Sequence, residues 1–261
     1  MSTRNELPTL SIVMIVKNEA HQIERTLKKL DWADEIVVID AFSTDGTMDV
    51  CRKYASRIYQ LPWEGFSKQR QRSIDFAKDQ WIFSIDADEI VSDELRREIL
   101  MTIQNTEKSG FWVPRQTFYL GRWINHSGWF PDYQMRLFKR NAAFIEQRAV
   151  HEGFSVRGDT GKLSGVLYHY PYQTLSHHLE KINDYTTLAV EEKIQQRNGK
   201  PVHWYHLVFN PLSTFLRMFF VNKGYKDGFQ GFILALFSAF YTQALYAKVW
   251  EQLKNHNDFE Q

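Results

Sequence analysis

The stretch Trp81-Ile-Phe-Ser-Ile-Asp-Ala-Asp-Glu89 decides the fold, because a short apolar run ends abruptly in three carboxylates. An apolar run of this length between polar segments is typical of a buried strand in a parallel sheet. Ligands of such sheets bind beyond the carboxyl ends of the strands, so we expect Asp86 and Asp88 to lie at a site. Clustered carboxylates repel one another, and a divalent cation joining them to an anionic ligand would explain their proximity. The alternative interpretation is a solvated turn that binds nothing.

Strands and helices alternate in the residues before this stretch. Leu10–Val16, Glu35–Asp40 and Arg57–Gln60 have the composition of strands, the last of them weakly. Amphipathic helices are predicted to follow each strand, beginning after Asn18-Glu19, after Ser43-Thr-Asp-Gly46 and at Ser67. This alternation predicts an α/β fold with a parallel sheet and right-handed crossovers.

Polar residues follow three of these strands at what should be one edge of the sheet. They are the loop after Val16, Asp40, and the Asp86/Asp88 pair. A nucleotide along this edge would have its base near Asp40 and the Lys68/Arg70 region, its ribose near Asp86 and its phosphates on a metal at Asp88. The sequence contains no glycine-rich phosphate loop of the P-loop or dinucleotide-binding type, so a metal would have to take its place.

Composition excludes several classes of protein. The 261 residues carry a formal net charge of +1, which argues against a general nucleic-acid-binding protein. A single cysteine, Cys51, excludes an intramolecular disulfide and a cysteine-rich zinc site, and it fits a reducing compartment. The amino-terminal residues lack the pattern of a secretory signal, so we expect a cytoplasmic protein.

Four motifs in this order closely resemble those of the GT-A, family 2 glycosyltransferases. They are Ser11-Ile-Val-Met-Ile-Val-Lys-Asn-Glu19, Val38-Ile-Asp-Ala-Phe-Ser-Thr-Asp-Gly-Thr47, Gly65-Phe-Ser-Lys-Gln-Arg70 and Ile85-Asp-Ala-Asp-Glu89. Within that family the chain resembles the bacterial lipopolysaccharide core β-1,4-glucosyltransferase branch. The resemblance implies a Rossmann-like, mostly parallel sheet flanked by helices, with an α-helical extension at the carboxyl terminus.

The resemblance also implies an activity and a set of site residues. The activity is inverting transfer of a hexose, glucose, from a UDP-sugar to an inner-core heptose on a lipid-linked oligosaccharide, with Mg²⁺ or Mn²⁺. Glu152 stands where the family places its catalytic carboxylate, with Asp132 as the fallback, and His169 matches a histidine near the metal or diphosphate. His169 as a buried structural histidine, and Arg136 in an ion pair rather than facing the phosphates, remain open alternatives. The residues expected to bind the nucleotide sugar are Val16, Asn18, Glu19, Asp40, Lys68, Arg70, Asp86 and Arg136, and those expected to bind the metal are Asp88 and His169.

Three segments follow from these interpretations. Residues 1–175 are expected to form the catalytic domain, with 9–108 binding the nucleotide sugar and 109–175 binding the acceptor. Residues 176–261 are expected to form a helical, aromatic-rich extension. Rings and cations without acids between residues 202 and 226 are typical of a helix at a membrane interface. We expect peripheral association with the cytoplasmic face of the inner membrane; a cap on the catalytic domain, a homodimer contact and a true span are the alternatives.

Two other classes of function remain open on the sequence. A glycoside hydrolase also uses paired carboxylates, but it needs two acids facing each other across a sugar. A glycosyltransferase acting on another lipid-linked or cell-surface glycan, or a non-catalytic carbohydrate-binding protein, would also fit. Only a transferase would release UDP from a sugar nucleotide when an acceptor is present.

Overall fold

The computed structural model of the protein describes residues 8–145 and 153–258, with side chains as far as residue 254. The strands in chain order are β1 (Leu10–Val16), β2 (Glu35–Asp40), β3 (Arg57–Gln60), β4 (Trp81–Ser84), β5 (Glu89–Val91), β6 (Gly110–Tyr119), β7 (Arg122–Trp123), β8 (Asp132–Lys139), β9 (Ala143–Ile145), β10 (Phe154–Val156), β11 (Thr160–Lys162) and β12 (Leu167–Tyr172). The helices are α1 (Ile23–Leu27), α2 (Thr47–Tyr54), α3 (Phe66–Phe76), α4 (Asp93–Gln104), α5 (Leu175–Leu188), α6 (Val190–Gln196), α7 (Trp204–Leu216) and α8 (Gly228–Asp258).

The predicted α/β fold is confirmed. The main sheet runs in the order β3-β2-β1-β4-β8-β6-β12-β5. Its first four strands are parallel, whereas β8 joins β4 in the antiparallel sense. The four strands on the side predicted to bind the nucleotide are therefore parallel. Beyond them the β4–β8, β6–β8 and β5–β12 pairs are antiparallel, and β11 pairs with β6 in the parallel sense.

Continuous apolar strands explain the parallel half, because both faces of its central strands are buried. Every residue of β4 is buried, and six of the seven in β1 are. Helix α1 ends at Leu27, although Leu30 beyond it is still fully buried. Helix α4 is capped at its amino terminus, since the Ser92 hydroxyl accepts a hydrogen bond from the Leu95 amide at 3.1 Å.

The lone cysteine is a core residue. Cys51 lies in α2 with no exposed surface and packs in the same apolar cluster as β1 and β4. Burial, together with the nearby Asp40 charge, raises the pKa of the Cys51 thiol to about 11. The thiol is therefore protonated and inert at neutral pH.

The chain divides into two compact units. The first comprises residues 1–115 and 132–169, and the second comprises residues 116–131 and 170–261. The predicted segments at 1–175 and 176–261 remain a prediction about function.

The second unit is built around aromatic rings and the long helix α8. Tyr119 and Ile124 are fully buried there, together with Leu234 and Ala235 of α8. Among the described residues, one helical stretch, Gly224–Lys254, is long and apolar enough to cross a membrane, and 22% of its most apolar window is buried within the protein. Length and composition alone support that possibility, since core helices of soluble proteins can pass the same criterion.

Candidate active site

The strands bring the predicted carboxylates to one edge of the sheet, as the parallel register requires. Val16 at the end of β1 is paired with Asp40 at the end of β2, and Val13 is paired with Ser84 at the end of β4. Residues 85–89 therefore continue beyond the same edge. Their turn is closed by two hydrogen bonds, from the Glu89 amide to the Asp86 carbonyl at 3.1 Å and from the Asp86 amide to Glu89 Oε2 at 3.0 Å.

Asp88 and His169, the two predicted metal ligands, lie next to each other. Strand β5 pairs with β12 in a register that sets Glu89 opposite His169. As a result His169 Nε2 lies 3.4 Å from Asp88 Oδ2, and the two side chains are 14% and 17% exposed. A carboxylate and an imidazole at this spacing are both suitable ligands for a divalent transition-metal ion.

Asp86 is fixed by an arginine from the neighbouring strand. Arg136 of β8 donates to Asp86 Oδ2 at 2.6 Å and to Glu89 Oε1 at 2.5 Å, and its own side chain is 4% exposed. Burial alone would raise the pKa of Asp86, but the Arg136 guanidinium outweighs it and holds that pKa well below its usual range. Asp86 is consequently ionised at neutral pH. The ion pair left open in the sequence is present, and Arg136 Nε is buried without a hydrogen-bond partner among the described residues.

Glu89 and Arg115 extend this network and were missed as site residues in the sequence. Glu89 has no exposed surface and accepts from Arg115 Nη1 at 3.3 Å as well as from Arg136. Burial raises the pKa of Glu89, although both guanidiniums favour its charged form. Arg115 also donates two hydrogen bonds to Asp132 Oδ2, at 3.0 and 2.7 Å, directly across the β6–β8 pair. The run Asp-x-Asp-Glu indicates that cations must be nearby, but only the strand register shows which ones.

The loops after β1 and β2 are fastened to each other. The Asn18 amide donates to Ser43 Oγ at 2.9 Å, and the Thr44 amide donates to Asn18 Oδ1 at 2.8 Å. The Glu19 amide donates to Thr47 Oγ1 at 2.8 Å. Asn18 has a φ of 57°, a left-handed conformation that asparagine tolerates better than most residues. These contacts fix the conformation of the two loops at the sheet edge that is predicted to bind the nucleotide.

Asp40 is engaged within the chain. It has no exposed surface and accepts hydrogen bonds from the Ser43 hydroxyl at 2.5 Å and from Gln60 Nε2 at 3.0 Å. Its place at the end of β2 agrees with the prediction, and in this structure it shapes the loop that follows. The Val16 side chain is likewise buried. At this position the backbone, rather than the side chain, therefore lies at the edge of the sheet predicted to bind the nucleotide.

The two predicted basic residues of α3 differ in their surroundings. Arg70 lies over the rings of Phe66 and Phe154, with its Cζ 5.9 and 5.6 Å from their centroids, and its charge helps to lower the pKa of Asp86. Lys68 is 67% exposed and pairs with Glu64 at 3.0 Å. Arg70 is therefore electrostatically coupled to the acidic turn. Glu152, the predicted base, lies outside the described residues.

Comparison with known proteins gives the same family as the motifs. The sequence profile described as "Glycosyl transferase family 2" matches residues 11–160. The lipopolysaccharide core biosynthesis glycosyltransferase LpsC of Rhizobium meliloti (strain 1021) is 30% identical over 252 residues, which cover 93% of this chain and 92% of LpsC. The uncharacterized glycosyltransferase RP128 of Rickettsia prowazekii (strain Madrid E) is 26% identical over 272 residues, covering 95% and 89%.

Solved structures share the fold. Mannosyltransferase PcManGT from Pyrobaculum calidifontis, in complex with GDP-Man and Mn²⁺, superposes with a TM-score of 0.55 at 12% identity, covering 94% of this chain and 88% of that one. Residues 1–349 of S. aureus TarS, in complex with UDP-GlcNAc, superpose with a TM-score of 0.52 at 14% identity, covering 97% and 92%. With the profile match, the relatives and the acidic turn in agreement, this chain is a glycosyltransferase and belongs to glycosyl transferase family 2.

Proposed function

We propose that this chain transfers glucose, with inversion, from UDP-glucose to a heptose of the lipopolysaccharide inner core. The observation that carries the proposal is the acidic turn after β4, where Asp88 lies 3.4 Å from His169 and Asp86 is fixed by Arg136. The similarity to LpsC, described as acting in lipopolysaccharide core biosynthesis, supports the acceptor class. The glucose and heptose assignments come from the motif resemblance.

A divalent cation fits the donor set of this turn. Among the described residues no group of three or more His, Cys, Asp or Glu side chains forms a complete metal site. Asp88 and His169 would hold the cation as two protein ligands, and oxygens of the donor diphosphate and of water would complete its ligand set. When bound, Mg²⁺ or Mn²⁺ would supply positive charge that stabilises the departing diphosphate. The bound Mn²⁺ of the structurally similar mannosyltransferase is in keeping with this assignment.

The neighbouring residues hold the donor in this proposal. Asp86 stays ionised and fixed, as a hydrogen-bond acceptor for ribose hydroxyls requires. Arg136 keeps one buried N–H without a partner among the described residues, and Arg70 adds a second positive charge near the acidic turn. Charges that are already oriented before the reaction stabilise the transition state more than mobile charges do, because no free energy is spent on orienting them.

A base has to accept the proton of the attacking acceptor hydroxyl, and we propose Glu152. A general base contributes about 10²- to 10⁴-fold when it reaches the hydroxyl. Asp132, the fallback, already accepts hydrogen bonds from Arg115 and Gln134 on its two oxygens. Those contacts favour a structural role for Asp132 and leave Glu152 as the better candidate.

The donor site is tested by titrating UDP and MnCl₂ into the purified protein and measuring the heat of binding by calorimetry. We expect binding that requires Mn²⁺ in the wild type and is lost in Asp88→Ala, while Arg52→Ala, a change at an exposed ion pair remote in sequence, binds normally. No association between UDP and the folded wild-type protein would remove the proposal.

A transfer assay then tests the base and separates a transferase from a non-catalytic carbohydrate-binding protein. UDP release from UDP-glucose is measured with a lipooligosaccharide truncated at its inner-core heptose as acceptor. Glu152→Gln should bind UDP and Mn²⁺ as the wild type does but should lose transfer by about 10²-fold or more. Robust turnover by this variant would exclude Glu152 as the base, and wild-type protein that binds sugars without releasing UDP would support the binding-protein alternative.

We also propose that the second unit holds the enzyme on the cytoplasmic face of the inner membrane. Helix α7 and the residues that follow it expose large apolar side chains to solvent, and no acid occurs between residues 202 and 226, where Arg217, Lys223 and Lys226 are found. The exposed side chains of this region, which we call the aromatic surface, are Trp204, Tyr205, Val208, Phe209, Leu212, Leu216, Phe220, Val221, Tyr225 and Phe229. An apolar surface combined with cations suits an anionic lipid surface.

Vesicle sedimentation tests this membrane contact. Wild-type protein should sediment with vesicles containing phosphatidylglycerol and much less with pure phosphatidylcholine, and a Phe209→Glu/Phe220→Glu double variant should remain in the supernatant. Equal sedimentation of the wild type and the double variant would contradict the proposal. A dimer that forms through the aromatic surface without lipid would favour the homodimer alternative.

A further inference from the structure

A buried carboxylate in the second unit holds one histidine in a fixed orientation. Asp227 is 1% exposed and accepts hydrogen bonds from the backbone amides of Asn125 and His126, at 3.2 and 2.8 Å. His126 Nδ1 lies 2.9 Å from Asp227 Oδ1. Three donors therefore converge on one buried aspartate, and no Arg or Lys is paired with it among the described residues.

This contact determines what the outer nitrogen of His126 can do. With Nδ1–H donating to the aspartate, the neutral ring has its lone pair on Nε2. The His126 side chain is 31% exposed, and Nε2 has no hydrogen-bond partner within the described residues. An oriented imidazole of this kind can accept a hydrogen bond, or a proton, from a hydroxyl group.

The loop that carries His126 is built tightly, which keeps the ring in place. Ser127 is buried with a φ of 62°, and its amide donates to the Asn222 carbonyl at 2.9 Å. Gly224 fits against this loop because a Cβ there would lie 2.6 Å from Ser127 Oγ. Non-glycine residues with positive φ persist where the surrounding structure holds them, and such positions cluster at functional sites.

The hairpin that leads into this loop presents groups suited to sugars. Phe118 pairs with Trp123 across β6 and β7, and their ring centroids are 5.0 Å apart. Tyr170 completes a cluster of three half-buried rings, with centroids 5.5 and 5.6 Å from those of Phe118 and Trp123. Next to the cross-strand pair, Gln116 Nε2 donates to Asn125 Oδ1 at 2.6 Å. Rings beside fixed amides can contact both the apolar face and the hydroxyl groups of a sugar.

We propose that His126, oriented by Asp227, binds a hydroxyl group of the glycan acceptor, and that the ring cluster of the hairpin leading into its loop contacts an apolar face of the same glycan. His126 is the binding residue, and Asp227 is a positioning residue that acts through it. The ligand class is a neutral, hydroxyl-rich saccharide, since the site offers hydrogen-bonding and aromatic groups. This inference rests on the proposed transferase function and adds an acceptor site to it.

The experiment compares acceptor kinetics with donor turnover in the full-length protein. The acceptor is a lipooligosaccharide truncated at its inner-core heptose, and the donor reaction is the slow release of UDP from UDP-glucose without acceptor. In His126→Phe we expect the KM for the acceptor to rise about tenfold or more, because the ring shape is kept and the acceptor nitrogen is lost. Donor-only UDP release is measured beside it, because this reaction needs no acceptor and reports on the donor site.

Two further variants test orientation and identity. Asp227→Asn should raise the acceptor KM in the same direction, since the amide can donate to Nδ1 and reverse the tautomer, whereas His126→Gln should recover part of the affinity. His177→Phe, at another histidine of the second unit whose ring lies edge-to-face with Tyr172, is the matched control and should leave the acceptor KM unaltered.

The outcomes are distinguishable. KM does not depend on the fraction of folded enzyme, so partial unfolding of a variant does not imitate the expected result. An acceptor KM within twofold of wild type in His126→Phe, or an equal rise in His177→Phe, overturns the inference while leaving the transferase function intact. Absence of UDP release by the wild type removes the proposed function itself.

Discussion

The two units both bury a carboxylate, but they stabilise it with different partners. In the first unit Glu89 has no exposed surface and lies between the guanidiniums of Arg136 and Arg115. In the second unit Asp227 accepts from two backbone amides and one imidazole. A guanidinium stays charged at any pH that a folded protein meets, whereas an imidazole exchanges its proton readily. The arginine pairs of Glu89 therefore suit a fixed electrostatic framework. The pairing of Asp227 with His126 suits an imidazole that contacts a hydroxyl group of a ligand.

The largest expected effect comes from breaking the arginine network. Arg136→Met leaves Glu89 and Asp86 without their main cation, and we expect the free energy of unfolding to fall by about 3 to 5 kcal/mol. Urea denaturation followed by circular dichroism measures this loss. Adding Glu89→Gln should restore part of the stability, because it removes the enclosed charge. A loss of less than about 1 kcal/mol in Arg136→Met would contradict the view of this network as a framework.

The next largest expected effect is a difference between the two units in how the free energy of unfolding depends on pH. Burial lowers the pKa of His178 to about 4, and its Nδ1 lies 2.8 Å from the Tyr119 hydroxyl in the second unit. The unfolded chain binds a proton near pH 6.5, so stability is full above that pH and falls as the pH decreases from about 6.5 to about 4. The loss attributable to His178 is on the order of 3 kcal/mol at the acid end. By contrast, the lowered pKa of Asp86 withdraws stability only below the ordinary carboxyl pKa of about 3.9.

The His178→Asn variant provides the control for this titration. Its amide can still bond to Tyr119 but does not titrate in this range. The slope of unfolding free energy between pH 6.5 and pH 4 should therefore flatten in the variant. An unchanged slope would assign the pH dependence to other groups.

The smallest predicted effect compares one helix cap from each unit. Ser92 is buried and accepts from the Leu95 amide at the start of α4, whereas Thr174 is exposed and accepts from the His177 amide at the start of α5, each at 3.1 Å. Both alanine variants should lose about 1 kcal/mol of unfolding free energy, with Ser92→Ala the larger because water cannot replace its hydroxyl. Thermal unfolding of the two variants side by side measures the difference, and a larger loss in Thr174→Ala would reverse this interpretation.

Sequence reasoning recovered the parallel half of the fold because its signals are local. The apolar run of β4 and the acids that follow it predicted both a strand and the edge at which Asp88 lies. His169 was assigned by likeness to a family, and the β5–β12 register shows how it comes to lie beside Asp88. The family and the GT-A type of fold are both confirmed. The site assignments, Glu152 among them, remain predictions.

What the sequence did not reveal depends on contacts between distant residues. Arg115 and Glu89 are 26 positions apart and meet only because β6, β8 and the turn after β4 converge. Asp227 and His126 are separated by 101 positions, and neither residue carries a local pattern that points to the other. Asp40 was predicted to lie near the base of the nucleotide, and its hydrogen bonds to the Ser43 and Gln60 side chains could not be read from the sequence. Long-range pairing of polar groups is thus the part that periodicity and motifs do not encode.

The burial of Cys51 has a practical consequence for spectroscopy. Because the only thiol of the 261 residues is buried and protonated, maleimide reagents should not react with it in the native protein. A single cysteine introduced at Phe209 or Trp250 would then take up a fluorophore or spin label alone, without prior removal of the natural residue. The depth of such a probe in a lipid bilayer can be read directly from collisional quenching.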